Sequence, residues 1–259
     1  MPAALVTGAA KRLGKAMALF LADRGYDVAL HYSGSQTEAE KVGDLIRDKG
    51  RQSVSICADF LNEAQVQDLI PRAVDALGGP MTVLVNNASI LEYDTVGSAT
   101  RTSWDRHLES NLRAPFVLTQ EFAAQDLSAH VDAAGEPLAT GLIVNMIDQR
   151  VRKLTPEFMT YTIAKMGLWA MTQTTAQALA PAIRVNAIGP GPTLQGERQS
   201  AEHFAKQRAA TTLERGANTA DITGALGYFI DSPAVTGQLL CIDGGQHLSW
   251  KTPDVLGVE

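Results

Sequence analysis

The sequence contains two cysteines in 259 residues, Cys57 and Cys241, too few for a disulfide framework. Both fall in strand-like runs, "SVSICADF" and "QLLCIDGG", where buried, reduced thiols are expected. No apolar run approaches the ~20 residues that a membrane-spanning helix requires. Positive charge is also in short supply. Lys plus Arg is 22 against 28 Asp plus Glu, a net charge of −6. That balance leaves no electrostatic footprint for nucleic acid or an anionic membrane. The opening "MPAALVTG" enters an apolar strand without a basic leader or cleavage site, so a cytoplasmic protein is expected. No linker, repeat or low-complexity segment divides the chain, and one domain over residues 1–259 is expected.

What is present is alternation. "AALVTG", "YDVALHYS", "QSVSICADF" and "MTVLVNNAS" read as strands, followed by "LIVNMID", "IRVNAIGPGP" and "GQLLCIDGG". Between them "KAMALFLADRG" and "QTEAEKVGDLIRDKG" carry apolar residues at helical spacing and stop at glycine. "AQVQDLIPRAVDALG" reads as a helix despite Pro71; 103–127 reads as a long helix bent or broken at Pro115; 158–180 is a further helix. "LSAHVDAAGEPLATG" is a polar loop. Residues 194–215 have no core strand and follow a strand's carboxyl end, so a helical substrate lid is expected there, with a plain surface excursion as the alternative. Strands separated by helices predict right-handed crossovers. The fold class is α/β, a single-domain, doubly wound, seven-stranded parallel sheet with helices on both faces.

The chemistry begins at "TGAAKRLG", residues 7–14, between the first strand and first helix. Gly8 and Gly14 allow close backbone approach, and N–H groups at a helix N-terminus suit a nucleotide phosphate. An NAD site usually has an acid after the second strand; "LHYSGS" has none. Lys11 and Arg12 add two cations that favour a ribose 2′-phosphate, hence NADP. Tyr161 and Lys165, spaced i and i+4, share a helix face. A nearby ammonium is expected to lower a phenol's pKa toward the working range of a general acid. Asp148 stands thirteen residues before Tyr161.

"TGAAKRLG", "NNAS" at 86–89, Asn111 in "ESNLRAPF", "YTIAK", "RVNAIGPGPT" and "TGQLLCIDGG" together resemble the successive motifs of the short-chain dehydrogenase/reductases. The resemblance implies a doubly wound Rossmann fold, frequently a homotetramer. It also implies a catalytic group of Asn111, Tyr161 and Lys165, in which Lys165 binds the nicotinamide ribose and Asn111 holds a relay water. The implied cofactor surface comprises Gly8, Lys11, Arg12, Leu13 and Gly14, with His31, Ser33 and Ser35 after the second strand. It continues through Asp59 at the adenine, Phe60, Asn87, Ala88 and Ser89, and ends with Pro190, Gly191 and Thr193 by the carboxamide.

Most of that family carries serine where this chain has Asp148 and glycine where it has Arg12. Both replacements, with "NNAS", are similar to the pteridine and dihydromonapterin reductases. In that subgroup the aspartate works with the tyrosine in protonating a reduced pterin ring, and the arginine helps hold cofactor phosphate and substrate. A carboxyl group can exchange hydrogen bonds with ring nitrogens, whereas a serine hydroxyl mainly supports a carbonyl oxygen. A carboxylate beside Tyr161 also raises the phenol's pKa, so the two should titrate together. The substrate surface implied is Arg12, Ser89, Leu91, Tyr93, Asp148 and Tyr161. Leu91 occupies the position of the subgroup's stacking aromatic, and Gly34 that of its basic second-strand residue. The expected activity is NADPH-dependent reduction of a C=N bond in a dihydropterin or similar heterocycle. The alternatives are a ketone or 3-oxoacyl reductase and a non-catalytic NADP-binding sensor. No metal site is expected.

Overall fold

The computed structural model describes residues 1–196 and 199–250. Seven strands form one parallel sheet: β1 (Ala3–Val6), β2 (Asp27–Tyr32), β3 (Ser53–Cys57), β4 (Met81–Asn86), β7 (Gly141–Met146), β8 (Ile183–Pro190) and β9 (Leu239–Ile242). Their spatial order is β3-β2-β1-β4-β7-β8-β9. The central strands β1, β2 and β7 are buried at every residue, as strands covered on both faces must be. The order reverses between β1 and β4, and the carboxyl ends of those strands open the crevice where such sheets bind ligands.

The first face is covered by α1 (Arg12–Asp23), α2 (Gln36–Arg47) and α9 (Thr219–Asp231). Gly14, Met17, Ala18, Leu21 and Ala22 repeat at helical spacing on α1 and are all buried. Leu21 and Met17 share one core cluster with Ile222, Leu226 and Phe229 of α9. The second face is covered by α3 (Glu63–Gln67), α4 (Leu69–Leu77), α5 (Arg101–Leu108), α6 (Ala114–Ala123) and α7 (Met159–Ala178). There Leu69, Ile70, Val117, Leu118 and Phe122 pack on Leu5, Leu84 and Ile143 of the sheet.

Several expectations are corrected in detail. The helix drawn through Pro71 is two helices, α3 and α4, with Pro71 in the first turn of α4, where a missing N–H costs nothing. The long helix at 103–127 is α5 and α6 joined by a π-helical turn, Glu109–Arg113. Pro115 cannot donate to the Asn111 carbonyl four residues earlier, and the Ala114 N–H instead reaches the Glu109 carbonyl. The polar loop contains a small antiparallel hairpin, β5 (His130–Val131) with β6 (Pro137–Leu138), closed by Asp132 accepting from the Ala134 and Glu136 N–H groups. Helix α9 was not anticipated, although Asn218 and Asp221 form a capping box at its start. Its Gly224 and Gly227 masked the pattern. A Cβ on Gly227 would stand 3.0 Å from the Phe20 ring, so the glycine permits close packing on α1. Cys57 is exposed and Cys241 partly exposed, rather than buried, because β3 and β9 are the two edge strands.

The segment expected as a lid holds α8 (Ala201–Ala209), which has no fully buried residue. Its positions 197 and 198 lie outside the described residues. Arg208 ties the end of α8 to the Pro192, Gly216 and Ala217 carbonyls. No helix among the described residues is long and apolar enough to cross a membrane.

Candidate active site

The turn after β1 is built for close approach. Gly8 has φ +63, and a Cβ on it would meet Ala88 Cα at 3.1 Å. A Cβ on Gly14 would lie 2.1 Å from the Gly8 carbonyl oxygen. Arg12 keeps the left-handed conformation of the glycine it replaces, with φ 54. For a residue with a Cβ this costs roughly 1–2 kcal/mol. Behind the turn, the Gly8 N–H donates to His31 Nδ1 at 3.1 Å while His31 Nε2 donates to the Ala58 carbonyl at 3.0 Å. The His31 ring stacks on Phe60 at 4.2 Å. Burial pushes this imidazole down to about 4, so it is neutral and serves as an acceptor. His31 and Phe60 therefore support the turn from the core side. Leu13 packs against the core as well. Asn87 holds the other wall, its Nδ2 donating to the Thr7 carbonyl, while Thr7 Oγ1 accepts the Asn87 and Ala88 N–H groups.

The two cations of the turn are engaged within the protein. Lys11 pairs with Glu38 at 3.1 Å, an exposed contact of small energetic weight. Arg12 donates to the Gln195 and Leu194 carbonyls at 2.8 and 3.1 Å, joining the turn to the segment before α8. Ser33 is exposed, and Ser35 is the N-cap of α2 without using its hydroxyl as a cap. Those hydroxyls and the α2 N-terminus are free to receive an anion. Asp59 is exposed, its Oδ1 accepting the Leu61 N–H. Pro190 ends β8, a Cβ on Gly191 would strike Asp243 at 2.5 Å, and Thr193 Oγ1 donates to the Gly191 carbonyl. The glycine turn and these open hydroxyls fit a dinucleotide carrying a 2′-phosphate.

At the far end of the crevice, Tyr161 Oη donates to Asp148 Oδ2 at 3.1 Å, and Asp148 Oδ1 accepts the Arg150 N–H at 2.8 Å. Lys165 is 2% exposed; its Nζ donates to the Met146 carbonyl at 2.9 Å and lies 5.7 Å from the centre of the Tyr161 ring. Burial pushes the Asp148 carboxyl upward from the ordinary carboxylate range, against the pull of Arg150, Tyr161 and Lys165. Burial lowers Lys165 to about 8. Tyr161 moves well up, through burial first and the Asp148 charge second. The expectation that the phenol would be drawn down is thus reversed: burial and the carboxylate outweigh the opposing pull of Arg150 and Ser89. Both groups favour their protonated forms, and the hydrogen bond between them couples their titrations.

Asn111 does not face Tyr161 freely. Its Oδ1 accepts the Ile90 N–H at 2.9 Å and its Nδ2 donates to the Ile90 carbonyl at 2.8 Å. One helical turn away, His107 Nε2 accepts the Glu92 N–H at 3.1 Å. Together they hold the strip that presents Leu91 and Tyr93, which are 45% and 57% exposed. Ser89 bonds Tyr161. Sequence reasoning missed His107, Asp94 and Thr160, which form one buried chain behind the site: His107 Nδ1 meets Thr160 Oγ1, which donates to Asp94. It also missed Phe158 and Arg150, whose only signal was proximity to Tyr161 and Asp148.

The family model described as enoyl-(acyl carrier protein) reductase matches residues 8–247. The chain belongs to the short-chain dehydrogenase/reductase family. It is an oxidoreductase of that family. The 3-oxoacyl-[acyl-carrier-protein] reductase FabG of Staphylococcus epidermidis is 30% identical over 250 residues, covering 95% of this chain and 98% of its own. The crystal structure of FolM alternative dihydrofolate reductase 1 from Brucella suis, in complex with NADP, is 42% identical, with a TM-score of 0.89 and 98% of each chain covered. Its Brucella canis counterpart, also with NADP, is 41% identical with a TM-score of 0.89, covering 99% of this chain and 98% of that one.

Proposed function

We propose that this oxidoreductase is an NADPH-dependent reductase of the pteridine reductase type, acting on a C=N bond of a dihydropterin or related heterocycle. The part-buried Tyr161–Asp148 hydrogen bond carries this reading. A carboxyl group that favours protonation can give a proton to one ring nitrogen and accept from an amino group beside it, which a serine hydroxyl does poorly. The similarity to the FolM structures supports the same reading.

Gly8 and Gly14 would hold the dinucleotide phosphates, Arg12, Ser33 and Ser35 the 2′-phosphate, and Lys165 the nicotinamide ribose. Lys11, Leu13, His31, Asp59, Phe60, Asn87, Ala88, Pro190, Gly191 and Thr193 line or support the same path. Bound NADPH supplies a hydride to the carbon of the C=N bond. The chain's own residues supply the proton to nitrogen. Tyr161 Oη, backed by Asp148, is the donor, and the Asp148 carboxyl refills it. Lys165, charged below about pH 8, balances the electron-rich pair. Asn111 fixes the Ile90 strip, so that Ser89, Leu91 and Tyr93 border the substrate. The segment at 194–215 would close over it, with Arg12 already bonded to its first residues.

Leu91 favours a second reading, a ketone or 3-oxoacyl reductase, because an aliphatic side chain offers no stacking face for a pterin. Asp148→Ser separates the two. It should lower kcat/KM on a dihydropterin by roughly 10²-fold or more while activity on a simple ketone holds or rises. A pterin rate untouched by that substitution and by Asp148→Asn would refute the mechanism. A protein that binds NADPH and turns over neither class would be a sensor.

The same reading includes a cytoplasmic homotetramer. The apolar groove lined by Leu108, Leu112, Phe116 and Met171, with Trp104, Ile163 and Met166 exposed nearby on α5 and α7, supports self-association. Sedimentation at micromolar concentration tests it, and a monomer would overturn it.

A further inference from the structure

Beside the Tyr161–Asp148 pair stands a cluster that the proposed proton transfer does not use. Phe158 precedes α7 and lies three residues before Tyr161; its φ is 55, an outlier for a bulky side chain. The Tyr93 ring meets it edge-on, with centroids 5.3 Å apart and planes at 83°. The Arg150 guanidinium lies 5.0 Å from the centre of the Phe158 ring. Arg150 is half-buried, and no Asp or Glu among the described residues forms an ion pair with it. Its Nη1 donates to Thr155 Oγ1, and its Nε is buried without a partner. The cation acts on both Asp148 and Tyr161 and opposes the rise of each, so it sits within electrostatic reach of the reacting pair.

Tyr93, exposed and braced by Phe158, offers ring surface to a third aromatic ring. A guanidinium with no carboxylate in ion-pair contact among the described residues offers planar, paired donors to a carboxylate. The chain as a whole carries a net charge of −6, so the overall field repels an anion and the local cation must supply the attraction. A small, unconjugated pterin held at Asp148 would leave both features unused.

We propose that Tyr93, Phe158 and Arg150 form a rim subsite for the aryl-carboxylate tail of the substrate, so that the protein selects conjugated, folate-type dihydropterins over unconjugated ones. This rests on the dihydropterin reading above.

The test compares kcat/KM for 7,8-dihydrofolate and 7,8-dihydrobiopterin, with NADPH, in the wild type, Arg150→Gln and Arg150→Lys. The ratio between the substrates cancels any effect Arg150 has on the shared Asp148–Tyr161 pair. The wild type should prefer dihydrofolate. Arg150→Gln should lower the ratio by about tenfold, chiefly through KM for dihydrofolate, and Arg150→Lys should restore part of it. NADPH binding measured by fluorescence in each variant establishes that the cofactor site is still formed. Equal losses on both substrates, or an unchanged ratio, would overturn the subsite while leaving the dihydropterin reading intact. A wild type that consumes neither pterin but reduces a ketone would overturn both.

Discussion

Protonating His31 removes the acceptor that holds the Gly8 N–H, and the structure sets the cost. The ring is stacked on Phe60 and bonded at both nitrogens; its burial lowers the pKa from 6.5 to about 4, against the Ala58 carbonyl bond, which raises it. The unfolded chain takes up this proton near pH 6.5, and the folded protein only near pH 4. Between those values the unfolded state binds more protons, so stability falls as pH falls. The contribution is fully present above 6.5 and lost progressively down to about 4. At about 1.4 kcal/mol per unit the loss is about 3–4 kcal/mol, a large share of a typical 5–15 kcal/mol domain stability. His107 is also lowered by burial and contributes with the same sign, so the wild-type curve alone does not isolate His31. His31→Gln keeps an acceptor and cannot titrate. Urea unfolding between pH 7 and 4.5 should therefore show a shallower decline for His31→Gln than for the wild type. Parallel curves would refute the reasoning, as would an NMR titration placing the His31 pKa near 6.5.

Tyr161→Phe should retain NADPH affinity and lower kcat by about 10²–10⁴-fold, since it removes the proton donor and leaves the packing. Near-normal turnover in steady-state assays would exclude Tyr161 as the acid. Arg12→Ala should weaken NADPH binding by about 1.5–3 kcal/mol and narrow the preference over NADH, as read by titration calorimetry. Equal wild-type affinities for the two cofactors would remove the 2′-phosphate reading. Gly14→Ala should abolish cofactor binding, because its Cβ would fall 2.1 Å from the Gly8 carbonyl oxygen. Retained binding with an unchanged melting temperature would show that the turn can open.

Seven strands, and the helices between most of them, were legible because apolar periodicity and glycine stops act within a few residues. So was the i, i+4 pairing of Tyr161 and Lys165, which one helix dictates. Helix α9 escaped because Gly224 and Gly227 look like breakers until Phe20 is seen packed against the second of them. Lys11 and Arg12 were placed correctly on the glycine turn, but their partners, Glu38, Leu194 and Gln195, lie 27 to 183 positions away. The direction of the Tyr161 shift depended on desolvation, a property of everything packed around the phenol, and on the Asp148 charge. Tyr93 comes from the segment after β4, and Arg150 and Phe158 from the single connection between β7 and α7; they meet only because α7 and the strip held by Asn111 converge beside β7. Sequence alone determined the elements and the chemical groups at the strand ends, since those follow from neighbours along the chain. Tertiary structure alone decided which groups meet, how deeply they are buried and which way their protons lean, because those depend on contacts between distant segments.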